Sequence, residues 1–186
     1  HERFARSLGL AMFAFMQRNP EITHSDPVVG RYSDFLGTIQ LPASINIMQT
    51  RPLAGSALLV LDGQLVSTIV DLMFGGTGRP MRKSEGREFS MTEKRLIKKL
   101  IELSSSEYGR AWESIHPMEL VFTRSESQPQ FANIAIPAEM VVSTTFTLDF
   151  NGQSGTIQVC IPYSVLEPIR DTLSSSLNTN SGEEKR

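Results

Sequence analysis

Hydrophobic residues near the start of the chain recur at the spacing of an amphipathic helix. Within "RFARSLGLAMFAFMQRN" the spacing i, i+4, i+7, i+8 places one set of apolar residues on a buried stripe: Phe4, Leu8, Ala11, Met12 and Phe15. Leu10, Phe13 and Met16 are apolar but lie partly off this stripe. A helix that is apolar around its circumference is either covered on two sides or faces a neighbouring subunit.

Alternating patterns further along the chain predict strands. Residues 28–40 and 44–50 have strand patterns, and "SALLVLD" after Gly55 is apolar on both faces, which is typical of a central strand covered on both sides. "MELVFT" predicts another strand. The alternation over residues 140–150, the turn-like "NGQSG" and the following "TIQVCIP" predict a hairpin.

Three further segments have the pattern of helices. "GQLVSTIVDLMF" has helical spacing at Leu65, Ile69, Leu72 and Met73, and it stops at Gly75. Ser90 and Glu93 form a capping box, which predicts a helix that keeps one apolar face as far as Ile115 and ends at Pro117. "YSVLEPIRDTL" predicts the last helix.

Residues 55–73 align with residues 155–173 at a gapless shift of 100 positions. Gly55 then corresponds to Gly155, and Leu65 to Val165. Together with the shared order of elements, this alignment predicts an internal duplication. We therefore expect an α/β fold: a three-layer α/β/α sandwich with a pseudo-twofold repeat of helix–three strands–helix. The two halves would stand side by side in a sheet of roughly six strands with helices on both faces.

Composition excludes several functional classes. The chain has 186 residues and a net charge of −2, which favours neither nucleic acid nor an anionic membrane as a partner. No apolar run approaches the ~20 residues of a membrane span. The lone Cys160 cannot form an internal disulfide, which is typical of a cytosolic protein. The first residue is His1 and the end is polar, so we expect a domain over residues 1–175, cut from a longer protein, and a linker or disordered tail over 176–186.

"LMFGGTGRP", residues 72–80, contains the strongest local motif. Its glycines follow a helix and have the wrong spacing for a phosphate-binding loop, which precedes one. A helix cap and turn explain one or two of the glycines but not three. The histidines His1, His24 and His116 have no ligand-like neighbours, and Cys160 is expected under a helix, so no metal, cofactor or catalytic residue is predicted.

The charge-rich segment "MRKSEGREFSMTEKRLIKK", residues 81–99, leaves two interpretations open. Lys94, Lys98 and Lys99 line the solvent face of the predicted helix, or they dock an acidic partner. Nucleic-acid binding would require exposed aromatic residues among the charges, and this segment offers only Phe89.

Several of these segments, over roughly residues 2–173, resemble the middle domain of the flagellar motor switch protein FliM family. They are "ERFARSLGLAMFAF", "LPASINIM", "RPLAGSALLVLD", "IVDLMFGGTGR", "EGREFSMTEKRLIKKL" and "IPYSVLEPIRDTL". The resemblance implies a CheC-like fold without enzymatic activity, in a subunit of the rotor's C-ring at the cytoplasmic face of the inner membrane. It also implies FliG binding through Gly75, Gly76, Thr77, Gly78 and, next to them, Arg79.

The resemblance further implies that neighbouring FliM subunits touch through helical faces, for which Leu10 and Phe13 are our candidates. FliN and phosphorylated CheY would be bound by regions outside this chain. The alternative is a CheC-type phosphatase of CheY, which uses a Ser or Asp followed by Glu and Asn on a helix. Here Ser84 and Glu88 are followed by Met91, and Ser7 is followed by alanines, so that alternative is disfavoured. We also expect a bulky residue at Gly76 to weaken partner binding without loss of stability.

Overall fold

The computed structural model describes residues 1–79 and 87–183, with side chains as far as residue 176. The helices are α1 (Glu2–Met16), α2 (Tyr32–Thr38), α3 (Gly63–Met73), α4 (Met91–Trp112), α5 (Tyr163–Leu166) and α6 (Arg170–Glu183). The strands are β1 (Glu21–His24), β2 (Val28–Arg31), β3 (Ala43–Arg51), β4 (Ser56–Asp62), β5 (Glu119–Glu126), β6 (Met140–Phe150) and β7 (Gln153–Pro162). Two 3-10 helices span Pro129–Phe131 and Glu167–Ile169.

The seven strands form one antiparallel sheet in the order β1-β6-β7-β4-β3-β5, with β2 paired to β6 beside β1. The predicted central strand is β4, which lies between β3 and β7. The predicted hairpin joins β6 to β7 through Asn151 and Gly152, both with positive φ as the tight turn requires. The α/β class is confirmed.

The register of the two central strands confirms the predicted duplication. Leu59 of β4 pairs with Val159 of β7, its own equivalent at the shift of 100 positions. On either side, Leu58 pairs with Cys160 and Val60 with Gln158, as a twofold axis through the Leu59–Val159 pair demands. The repeat therefore comprises α1 to α3 in one half and α4 to α5 in the other.

The halves stand side by side through β4 and β7, as expected, but they also exchange their first strands, which the sequence did not predict. The first strand of each half pairs with the other half, β1 with β6 and β5 with β3. The helices also pack against the other half. A Cβ atom on Gly155 of β7 would collide with the backbone of Leu65 in α3, and one on Gly55, just before β4, would collide with the side chain of Val165 in α5. Only glycine allows these close approaches, which explains why both repeats have glycine at the same position.

The sheet is covered on both faces, as the sandwich prediction requires. A large core between the sheet and helices α1, α3 and α4 contains Leu59, Leu61 and Phe146. A smaller core on the opposite face joins Leu58 and Cys160 to α2. The second helical layer is thin, since α2 and the segment around Ala132 cover that face.

Three details of the sequence prediction need correction. Residues 28–40 are not one strand, because Tyr32 and Phe35 lie one turn apart and bury together, which makes residues 32–38 helical. The capped helix ends at Trp112 rather than Pro117. The predicted last helix, residues 163–173, is divided into α5, a 3-10 turn and α6, which extends to Glu183; residues 184–186 lie outside the described part, and the linker over residues 176–186 stays a prediction.

Candidate partner-binding site

Helix α3 ends in a geometry that determines the shape of the glycine loop. Gly75 adopts a left-handed φ of 83° and donates its N–H to the Leu72 carbonyl at 3.1 Å. The Gly76 N–H reaches back to the Asp71 carbonyl at 2.8 Å. These two bonds form a Schellman motif, so the predicted glycine cap at Gly75 is confirmed.

The Asp71 side chain organises the rest of the loop. Its Oδ2 atom accepts the Gly78 N–H at 2.8 Å. Gly78 is buried with φ of 80°, against Leu72 and Thr68. A Cβ atom at Gly76 would collide with the Asp71 carboxylate. The Asp71 carboxylate therefore holds the loop, because it bonds to the Gly78 N–H and lies against Gly76.

This geometry corrects two inferences from the sequence. A cap and turn account for all three glycines, because Gly75 and Gly78 need positive φ and Gly76 has no space for a side chain. A bulky residue at Gly76 would displace Asp71, so the structure leads us to expect a loss of stability where the sequence led us to expect none. The glycine count alone is no sign of a partner.

The loop nevertheless presents an accessible surface. Phe74 is 77% exposed and Met73 is 50% exposed, directly before the glycines. Thr77 and Arg79 also point into solvent. The sequence interpretation placed Met73 on the buried stripe and gave Phe74 no role. Met73 and Phe74 lie in the last turn before the glycine that ends α3, and this position in the sequence could have indicated that they are exposed.

Leu10 and Phe13 lie on a second surface, on α1. They are 69% and 49% exposed, while Leu8 and Met12 on the opposite side of the same helix are fully buried. Of the three residues predicted to lie off the buried stripe, Leu10 and Phe13 are exposed, whereas Met16 is half-buried against the core. They belong to the helix that packs on α4 and β1, separate from the loop after α3.

Within the described residues, three kinds of reactive site come into question: a nucleophilic cysteine, a metal site and the phosphatase-like positions. Burial raises the pKa of the Cys160 thiol to about 12, which suits a packed side chain rather than a nucleophile. No cluster of three metal-ligating side chains occurs within residues 1–79 and 87–183. Of the phosphatase-like positions, Ser84 lies outside the described residues, while Glu88 and Met91 are exposed.

No described helix has both the length and the apolar character needed to span a bilayer. The interlocked α/β repeat has a CheC-like fold. A CheC-like superfamily protein from Shewanella has the same fold, with a TM-score of 0.52 at 12% identity, over 86% of this chain and 94% of that one.

The family follows from three closer comparisons. The model of "Flagellar motor switch protein FliM" matches residues 1–177. The FliM protein of Salmonella typhimurium is 37% identical over 99% of this chain and 55% of its own length. The crystal structure of the FliM middle domain from Vibrio alginolyticus has a TM-score of 0.83 at 32% identity, over 92% of this chain and 95% of that one. This chain belongs to the FliM family.

A further solved structure is similar in fold. It is a FliG–FliM complex from H. pylori, in which the matched chain has a TM-score of 0.83 at 22% identity over 91% of this chain and 92% of that one. The present chain spans about half the length of the curated relatives it matches.

Proposed function

We propose that this chain is a non-enzymatic structural and signalling part of the bacterial flagellar motor switch. It binds the rotor protein FliG through the loop Gly75, Gly76, Thr77, Gly78 and Arg79, and so contributes to control of rotation direction in chemotaxis. Membership of the FliM family supports this role. The observation that carries it is the exposure of Phe74 beside a loop whose backbone is held in place.

The loop geometry suits protein recognition. Burying an exposed aromatic side chain stabilises a complex by roughly 1.5–3 kcal/mol, and such residues are frequent binding hot spots. Phe74 and Met73 supply this apolar contact. Beside them, Gly75 leaves its backbone accessible, and the exposed Thr77 and Arg79 offer hydrogen bonds. Because Asp71 and the helix cap already order the backbone, binding loses little conformational entropy there.

The remaining contacts belong to the assembled rotor. Neighbouring FliM subunits stand side by side in the C-ring at the cytoplasmic face of the inner membrane, and Leu10 and Phe13 of α1 contribute to that contact. Their exposure as large apolar residues on the outer side of α1 supports this assignment. FliN and phosphorylated CheY bind through regions outside this chain. Neither a cofactor nor a metal has a role in the proposal.

Calorimetric titration with the FliG middle domain tests the proposal. We expect saturable binding that Phe74→Ser weakens at least about tenfold, as loss of a hot spot of about 1.4 kcal/mol requires. Phe131→Ser is the matched control, because Phe131 is 55% exposed on the other side of the sheet. Unchanged affinity of Phe74→Ser, or equal loss in both variants, would refute the loop as the site.

A further inference from the structure

The outer face of α4 carries four cations within two helical turns. Lys94, Arg95, Lys98 and Lys99 are all exposed. Lys94 and Lys98 are four residues apart, as are Arg95 and Lys99, so like charges stand about 5–6 Å apart at their Cβ atoms. This spacing destabilises an isolated helix. The proposed FliG site does not use this face.

Nearby carboxylates do not neutralise the cluster. Glu93 is 5% exposed and turned inward, where it pairs with Arg87. The Glu102 Oε2 atom lies 3.7 Å from the Lys99 Nζ atom, and such an exposed ion pair contributes little. Across the described part of the chain, Lys94, Arg95 and Lys98 form no ion pair.

The helix beneath the cluster is firmly held. The capping box of Ser90 fixes its first turn, and Leu96, Leu100 and Ile101 bury its inner face. The four cations are thus presented on a rigid support.

We propose that this basic face of α4, defined by Lys94, Arg95, Lys98 and Lys99, docks an acidic polypeptide segment. Its two rows of cations, each with a spacing of four residues, match carboxylates one turn apart on a partner helix. A protein ligand fits better than nucleic acid, because the chain has a net charge of −2 and the exposed residues of α4 include no aromatic side chain. None of these four residues belongs to the proposed FliG site.

Fluorescence anisotropy tests the docking surface. The probe is a labelled, alanine-rich helical peptide with glutamates four residues apart, and its glutamine analogue is the neutral control. The test variant combines Lys94→Gln, Arg95→Gln and Lys98→Gln. The matched variant combines Arg18→Gln, Arg31→Gln and Arg170→Gln, which removes the same charge from exposed positions elsewhere.

We expect the acidic peptide to bind at about 50 mM salt and its glutamine analogue not to bind. Binding of the acidic peptide should weaken at about 200 mM salt. The α4 variant should lose at least about tenfold in affinity and the matched variant less than about twofold. Lys98→Glu, a single charge reversal, repeats the test if the triple variant does not fold. Equal losses in both triple variants would overturn the proposal. So would tighter binding of duplex DNA or of phosphatidylserine vesicles in the same assay.

Discussion

Asp71 connects the end of α3 to the conformation of the loop that follows it. Its main-chain carbonyl closes the helix cap, while its carboxylate accepts the Gly78 N–H and fills the space beside Gly76. The Asp71 carboxylate thus explains the glycine at position 76, and it also holds the backbone at Gly78. The exposed Phe74, Thr77 and Arg79 are displayed as a consequence of this interior arrangement.

Two substitutions at Asp71 test how much the bond from its carboxylate to the Gly78 N–H contributes to stability. We expect Asp71→Ala to lower the free energy of unfolding by about 1–2 kcal/mol, because the part-buried Gly78 N–H loses its acceptor. Asp71→Asn keeps an oxygen in place and should lose less than about half as much. Urea unfolding followed by the fluorescence of Trp112, the single tryptophan, measures both variants.

Gly76→Ala provides the internal control for this interpretation. Its Cβ atom collides with the Asp71 carboxylate, so the substitution should cost less stability in the Asp71→Ala background than in the parent chain. Equal costs in the two backgrounds would show that the carboxylate does not impose the glycine.

At the scale of elements, the start of α4 depends on a buried carboxylate. The Glu93 carboxylate accepts the Ser90 N–H at 2.8 Å and a guanidinium N–H of Arg87 at 2.7 Å. Burial opposes ionisation of Glu93, but these bonds, together with the Ser90 hydroxyl and the charge of Arg87, outweigh it and lower the pKa of the carboxyl. Folding therefore favours the ionised form.

Stability at this helix end should depend on pH. A lowered carboxyl pKa contributes stability that is fully present above the unfolded value of about 4.3 and is lost as pH falls through the folded pKa. We expect Glu93→Gln to cost about 1 kcal/mol at neutral pH, as for a lost helix cap, and progressively less below about pH 4.3. Glu102→Gln on the same helix is the control, with almost no effect at any pH. A pH-independent cost of Glu93→Gln would contradict this account.

At the scale of the whole molecule, the sequence was sufficient to predict most elements and the duplication. Periodic apolar positions identify α1, α3 and α4 because their buried faces are continuous, and the glycines at 55 and 155 fix the shift between the repeats. The exchange of first strands between the halves could not be predicted, since local alternation does not specify which strand becomes the neighbour.

The candidate site was predicted less completely than the fold. Local sequence located the loop and the off-stripe residues of α1, because turn chemistry and helical spacing are both short-range signals. Exposure of Phe74 depends on which elements pack against the end of α3, which is a tertiary property. Helix α2 was missed for a similar reason: its two aromatic residues form a helix because they pack on the second face of the sheet.

The measurement that tests the central claim most directly is an amide NMR titration of this chain with the FliG middle domain. The account predicts that the largest shift changes occur at residues 74–79, with Lys94 and Lys98 on α4 unaffected. Changes concentrated on α1, α4 or the sheet edges, with residues 74–79 unperturbed, would contradict the assignment of the loop as the partner-binding surface.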